Sequence, residues 1–109
     1  MAYDEGLAER LRETFFERND VTEKRMFGGL CFMVAGHMCI GIVGETLMVR
    51  VGPERYKELL SREEASEMDF TGKPMKGFIY VLPDGIAEDD SLSEWVGHAL
   101  AFNRELPER

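Results

Sequence analysis

The chain has 109 residues, 44% of them hydrophobic, which suits one domain spanning 1–109 with one real core. Lysine and arginine number 13 against 21 aspartates and glutamates, giving a net charge of -8. Phosphate backbones are bound by neutralising them with cations, so nucleic acid is not an expected partner of so acidic a domain.

The start, Met1-Ala2-Tyr3-Asp4-Glu5, is acidic and lacks the apolar stretch of a signal peptide. No apolar run reaches the ~18 residues a bilayer crossing needs. A cytoplasmic location without a membrane partner is therefore expected.

Asp4 to Asn19 reads as the first helix, with Leu7, Leu11 and Phe15 recurring at i, i+4, i+8. Asp4 caps its start and Asn19-Asp20 ends it. Val21 to Phe27 is a strand, broken at Gly28-Gly29. Leu30–Val34 and Met38–Val43 follow as strands joined through Ala35-Gly36. Thr46–Val51 is joined to them through Gly44-Glu45. Short hairpin loops favour glycine because they need positive φ. Gly52-Pro53 closes this segment, and Pro53–Leu60 is the second helix, since proline suits the first helical position. Ser61–Ser66 is expected to be a turn plus irregular chain. Met68–Phe70 is a candidate short strand, and Gly77–Leu82 is a strand bounded by Pro83-Asp84-Gly85. Asp90 or Ser91 caps the last helix, where Leu92, Trp95, Val96, Ala99 and Phe102 recur at helical spacing. Trp95 is expected to pack on the sheet.

A two-residue loop at Gly44-Glu45 places Met38, Ile40, Ile42, Leu47, Val49 and Val51 on one core-facing side. The favoured two-residue loop at Ala35-Gly36 pairs Val34 with His37, Phe32 with Cys39 and Cys31 with Ile40. Cys31 and Met33 then face the core. A three-residue loop would instead put Cys31 and Cys39 on one face. In either register the second face is too apolar for water, with Leu30, Phe32, Val34, Cys39, Gly41 and Val43 on it. A helix of the chain or a second subunit is expected to cover it. Leu30, Phe32, Cys39 and Val43 are thus the candidate interaction surface, and a homodimer is the expected assembly. The chain has seven methionines, among them Met26, Met33, Met38 and Met48, which suit an adaptable contact surface or plain core filling.

Few residues suggest chemistry. Cys31, His37 and Cys39 imitate a soft metal site, but the spacing is wrong for a knuckle and a fourth ligand is missing. Buried, reduced thiols are the expected state of both cysteines. His98 with Glu94 reads as a surface helix pair. Asp84, Glu88, Asp89 and Asp90 lack the calcium-loop pattern. Gly28-Gly29 lacks a phosphate-loop signature, and Lys73 and Lys76 flank a loop that could hold an anion. No catalytic residue, cofactor or metal is expected.

Three stretches carry a family resemblance: KRMFGGLCFMVAGHMCIGIVGETLMVRV, FTGKPMKGFIYVLPDGI and LSEWVGHALAF. Met26-Phe27-Gly28-Gly29, a turn ending in Gly36, and the Leu92, Trp95, Val96, Ala99, Leu100 helix are the structural motif. From the first helix to about Phe102 the chain resembles the N-terminal domain of the TfoX/Sxy competence regulators, in a standalone short form. The resemblance implies a two-layer α+β fold, also similar to secretion chaperones, with helices on an antiparallel meander of about five to six strands. In full-length regulators this domain precedes a separate C-terminal domain. They promote transcription of DNA-uptake genes with a cyclic-AMP-responsive activator. The resemblance supplies no catalytic residues.

The function expected is therefore a non-enzymatic protein-interaction domain, a transcriptional co-regulator whose partner belongs to the transcription machinery. A small-molecule module or enzyme would use the Gly28-Gly29 bend and the apolar face as a pocket. A nucleic-acid binder would use Lys24, Arg25, Arg50, Arg55, Lys73 and Lys76, and ranks last.

Overall fold

Apolar residues on both sides of a strand force a sheet to be packed on both sides. A computed structural model, describing residues 3–26, 28–69 and 74–107, shows how far this chain meets that demand. The elements in order are α1 (Glu5–Thr14), β1 (Val21–Met26), β2 (Gly29–Val34), β3 (His37–Val43), β4 (Thr46–Arg50), α2 (Pro53–Leu60), β5 (Ala65–Asp69), β6 (Pro74–Val81) and α3 (Asp89–Asn103). A single 3-10 turn, Pro83–Gly85, precedes α3. The six strands form one open antiparallel sheet in the order β1-β2-β3-β4-β6-β5. The α+β fold expected from the sequence is the fold found.

The three helices pack on one side. Leu7, Ala8 and Leu11 of α1, Leu59 of α2, and Leu92, Trp95, Val96 and Ala99 of α3 share a core with Leu30, Phe32, Val34, Ile40, Ile42, Leu47, Val49, Val51, Ile79 and Val81. Trp95 is fully buried there, as its helical spacing predicted. Replacing such a residue by alanine costs ~3–5 kcal/mol through lost burial and the cavity left behind.

Several boundaries differ from expectation. α1 ends at Thr14 rather than Asn19, and Phe16 N–H reaches back only to Glu13 O, a tighter turn. Leaving the helix here seats Phe15 against Phe32, ring centroids 5.7 Å apart, and turns the chain toward β1. Arg18 then clamps Asp20 through two hydrogen bonds of 3.0 and 2.9 Å. Ala65 and Ser66 belong to β5 rather than an irregular segment, because they pair with Val81 and Tyr80. Neither Asp90 nor Ser91 caps α3: its N-cap is Glu88, without a side-chain hydrogen bond. The Phe70 end of the short-strand reading lies outside the described residues.

The β2–β3 hairpin needs a larger correction. Its two-residue turn is at Ala35-Gly36 and Val34 pairs with His37, as expected. Met33 then pairs with Met38, but Phe32 pairs with Ile40 and Cys31 with Gly41. Cys39 is the extra residue, and the strand bulges there. The bulge reverses the facing expected of β2 along its length. Leu30, Phe32 and Val34 lie under the helices, whereas Cys31 and Met33 lie on the opposite side. Met38, expected on the core side, is on that opposite side as well.

Two local features make specific demands on stability. Ala35 has φ +53°, in the left-handed region, followed by Gly36 at +85°. Asparagine tolerates that conformation better than alanine. Ala35→Asn is expected to raise the urea midpoint, by roughly 0.5–1 kcal/mol in stability, with no change in slope. Asn103 is a buried polar side chain, and its Nδ2 donates to Val34 O at 3.1 Å, tying α3 to β2. Asn103→Leu removes that hydrogen bond and is expected to lower stability by ~1 kcal/mol in the same titration.

Candidate functional site

Opposite the helices the sheet carries a second apolar cluster. Cys31, Met48 and Met68 are closed to solvent in it and Met38 nearly so. Met26, Met33, Val43, Phe78 and Tyr80 pack around them and keep part of their surface exposed. Strand pairing accounts for the arrangement: Met33 lies opposite Met38, Met48 opposite both Gly41 and Tyr80, and Arg50 opposite Phe78. Gly41 leaves room in the floor, since a Cβ there would come within 2.6 Å of Met48 Cε and 3.1 Å of Cys31 Sγ. Unbranched thioether side chains fill such a floor and can repack against a partner.

The candidate interaction residues do not share this face. Leu30, Phe32 and Cys39 are 4%, 1% and 1% exposed beneath the helices, and only Val43 lies on the methionine side. The bulge at Cys39 is the cause. The face itself, apolar and on the sheet's second side, is where the pattern of two apolar faces implied one. Its half-exposed lining is Val43 with Met26, Met33, Phe78 and Tyr80, in place of Leu30, Phe32 and Cys39. Single-strand periodicity could not show this, but the clustering of methionines along β1 to β4 was a usable signal.

Lys24 lies opposite Cys31 and so stands on the methionine face. At the end of β4 the Arg50 guanidinium lies 5.5 Å from the Phe78 ring and 5.4 Å from the Phe102 ring, and donates to Met38 O at 3.2 Å. Burial pulls its pKa down. The other cations are dispersed. Arg25 lies opposite Leu30 on the helix side, Arg55 pairs with Glu105 at 3.1 Å, and Lys76 is on β6, with three strands between it and β1. Lys73 is outside the described residues, and so is its part in an anion-holding loop.

The thiols sit apart on opposite sides of the sheet, Cys31 among the methionines and Cys39 in the helix-covered core. Burial pushes Cys31 up to about 11 and Cys39 up to about 12. His37 donates from Nε2 to the Pro107 carbonyl, and His98 lies 3.4 Å from Glu94. Glu94 is held mainly by Arg62, at 2.6 Å, which keeps its carboxyl below the usual range. Among the described residues no three His, Cys, Asp or Glu side chains are grouped to hold a metal ion. A cleft of about 370 Å³ between α1 and α3 is lined by Arg10, Glu13, Thr14, Asp89, Leu92 and Ser93. Arg10 spans it to Asp89 at 3.1 Å. It lies away from the Gly28-Gly29 bend and the apolar face.

The family model of the TfoX N-terminal domain matches residues 13–103. The chain belongs to the TfoX N-terminal domain family. No curated protein matches it significantly, and no solved structure does. In this TfoX N-terminal domain the paired glycines have separate tasks. Gly28 turns the chain at φ +75°, while a Cβ on Gly29 would fall 1.9 Å from the Ile42 carbonyl oxygen of β3. Phe27, between Met26 and Gly28, is outside the described residues. Gly36 ends the hairpin turn, and Trp95 is held between the sheet and Arg62, whose guanidinium is 5.2 Å from its ring. No helix among the described residues is long and apolar enough to cross a membrane.

Thiolate is the reactive form of cysteine, so both thiols are expected to resist a disulfide reagent at pH 8 in the native domain. In urea both should react at once. Rapid native labelling of either would contradict the burial described here.

Proposed function

We propose that this chain is a non-enzymatic protein-interaction domain, a transcriptional co-regulator related to the competence regulators. Family membership supports the regulatory part. The observation that carries the interaction part is the half-open methionine face. Met26, Met33, Val43, Phe78 and Tyr80 hold apolar surface partly in water. Such surface marks a contact site more often than a reaction site. The cations are dispersed and the net charge is -8, which favours a protein partner over a phosphate backbone. In this reading the domain works in the cytoplasm, associates with its own copies, and reaches genes through the transcription machinery.

The test is a chromosomal Met33→Glu substitution, which puts a charge on the half-exposed rim. Transcripts of DNA-uptake genes should fall to the level of a deletion strain while the amount of protein stays constant. Unchanged transcripts in both strains would overturn the regulatory reading. A loss in the deletion strain with none in Met33→Glu would overturn the role of the face.

A further inference from the structure

Phe16 is 84% exposed, the largest exposure among the described large hydrophobic side chains. It stands just past the C-terminus of α1, where carbonyl dipoles leave negative partial charge. Glu13 and Glu17, both exposed, flank it. The nearby cations are already engaged: Arg12 with Glu9 and Glu23, and Arg18 with Asp20. The result is an aromatic knob in a negative setting.

The methionine face has the opposite character. Its charged strand residues include Lys24, opposite Cys31, and Arg50, over Phe78. Among the described residues that the pairing of β1 to β4 places there, none is a carboxylate. Turning this face onto its own copy would bring like charges together. A ring set against flexible thioethers, with acids beside it and cations but no strand carboxylate on the receiving side, matches in sign.

We propose that the domain self-associates heterologously, Phe16 of one copy seating on the methionine face of the next, with Glu13 and Glu17 near Lys24 and Arg50. The inference rests on the reading of that face as a protein contact surface. Knob and face are different patches, so each copy offers one of each and the contact need not be a face-to-face pairing.

Light scattering over a concentration series tests this. The wild-type mass should rise above the 12.4 kDa of one chain, less so in high salt. Phe16→Ser and Lys24→Glu both alter exposed side chains, so folding should be kept, checked by circular dichroism. Each alone should stay monomeric. Mixed together they should form a one-to-one pair, because the Phe16→Ser copy keeps its face and the Lys24→Glu copy keeps its knob. A wild-type chain that stays monomeric overturns the proposal, and so does a mixture that stays monomeric. Association that survives Phe16→Ser but is lost in Lys24→Glu and Met33→Glu also overturns it, while leaving the face as a contact surface paired with itself.

Discussion

The side of the sheet on which each residue of the β2–β3 hairpin lies depends on one unpaired residue, Cys39. Side chains alternate with a period of two, so a single inserted residue transfers everything beyond it to the other face. Met33 stays opposite Met38 at the turn, and past the bulge Phe32 meets Ile40. This brings Leu30, Phe32 and Val34 under Trp95 and the other helix residues. It also gathers Cys31, Met33 and Met38 on the far side, where Met48 and Met68 complete a second cluster. Both the core and the candidate contact surface follow from that register.

Much of this was legible in the sequence, for identifiable reasons. The bounds of α2 were marked by Gly52-Pro53, and those of β3 and β4 by glycines at turns that require them. The periodicity of α3 placed Trp95 in the core. The bulge was not legible, because Cys31, Phe32, Met33, Met38, Cys39 and Ile40 are all apolar. With no polar residue to mark a wet side, either register looks equally good. The exit from α1 at Thr14 was hidden for a similar reason: Phe15 and Phe16 both continue an apolar helix pattern, but only Phe15 finds a site to fill. β5 was obscured by its acidic and small residues, which tertiary pairing with β6 overrides.

Charge is arranged as unevenly as apolar surface. The domain is strongly acidic overall, yet Lys24 and Arg50 stand on the face where methionine is concentrated. The Arg50 guanidinium is wedged between rings from both layers, one on β6 and one on α3. Removing the side chain therefore takes away packing as well as charge. The histidines and cysteines are held by a chain carbonyl, an engaged carboxylate and two greasy surroundings. None of these settings lowers the pKa of a thiol.

The strand order has a consequence for how the chain assembles. From β1 to β4 every neighbour in space is also the next strand in the sequence. Such hairpins close short loops and lose little chain entropy in meeting. β6 must instead reach β4 across α2 and β5, and α3 must return to β3 and β4 from the far end. Local closure therefore favours the meander as nucleus, and it is the docking of α3 that seals Trp95 and Asn103 against it. Until that happens, both faces of the meander are greasy and open, and the folding chain is most vulnerable to meeting its neighbours in the wrong way.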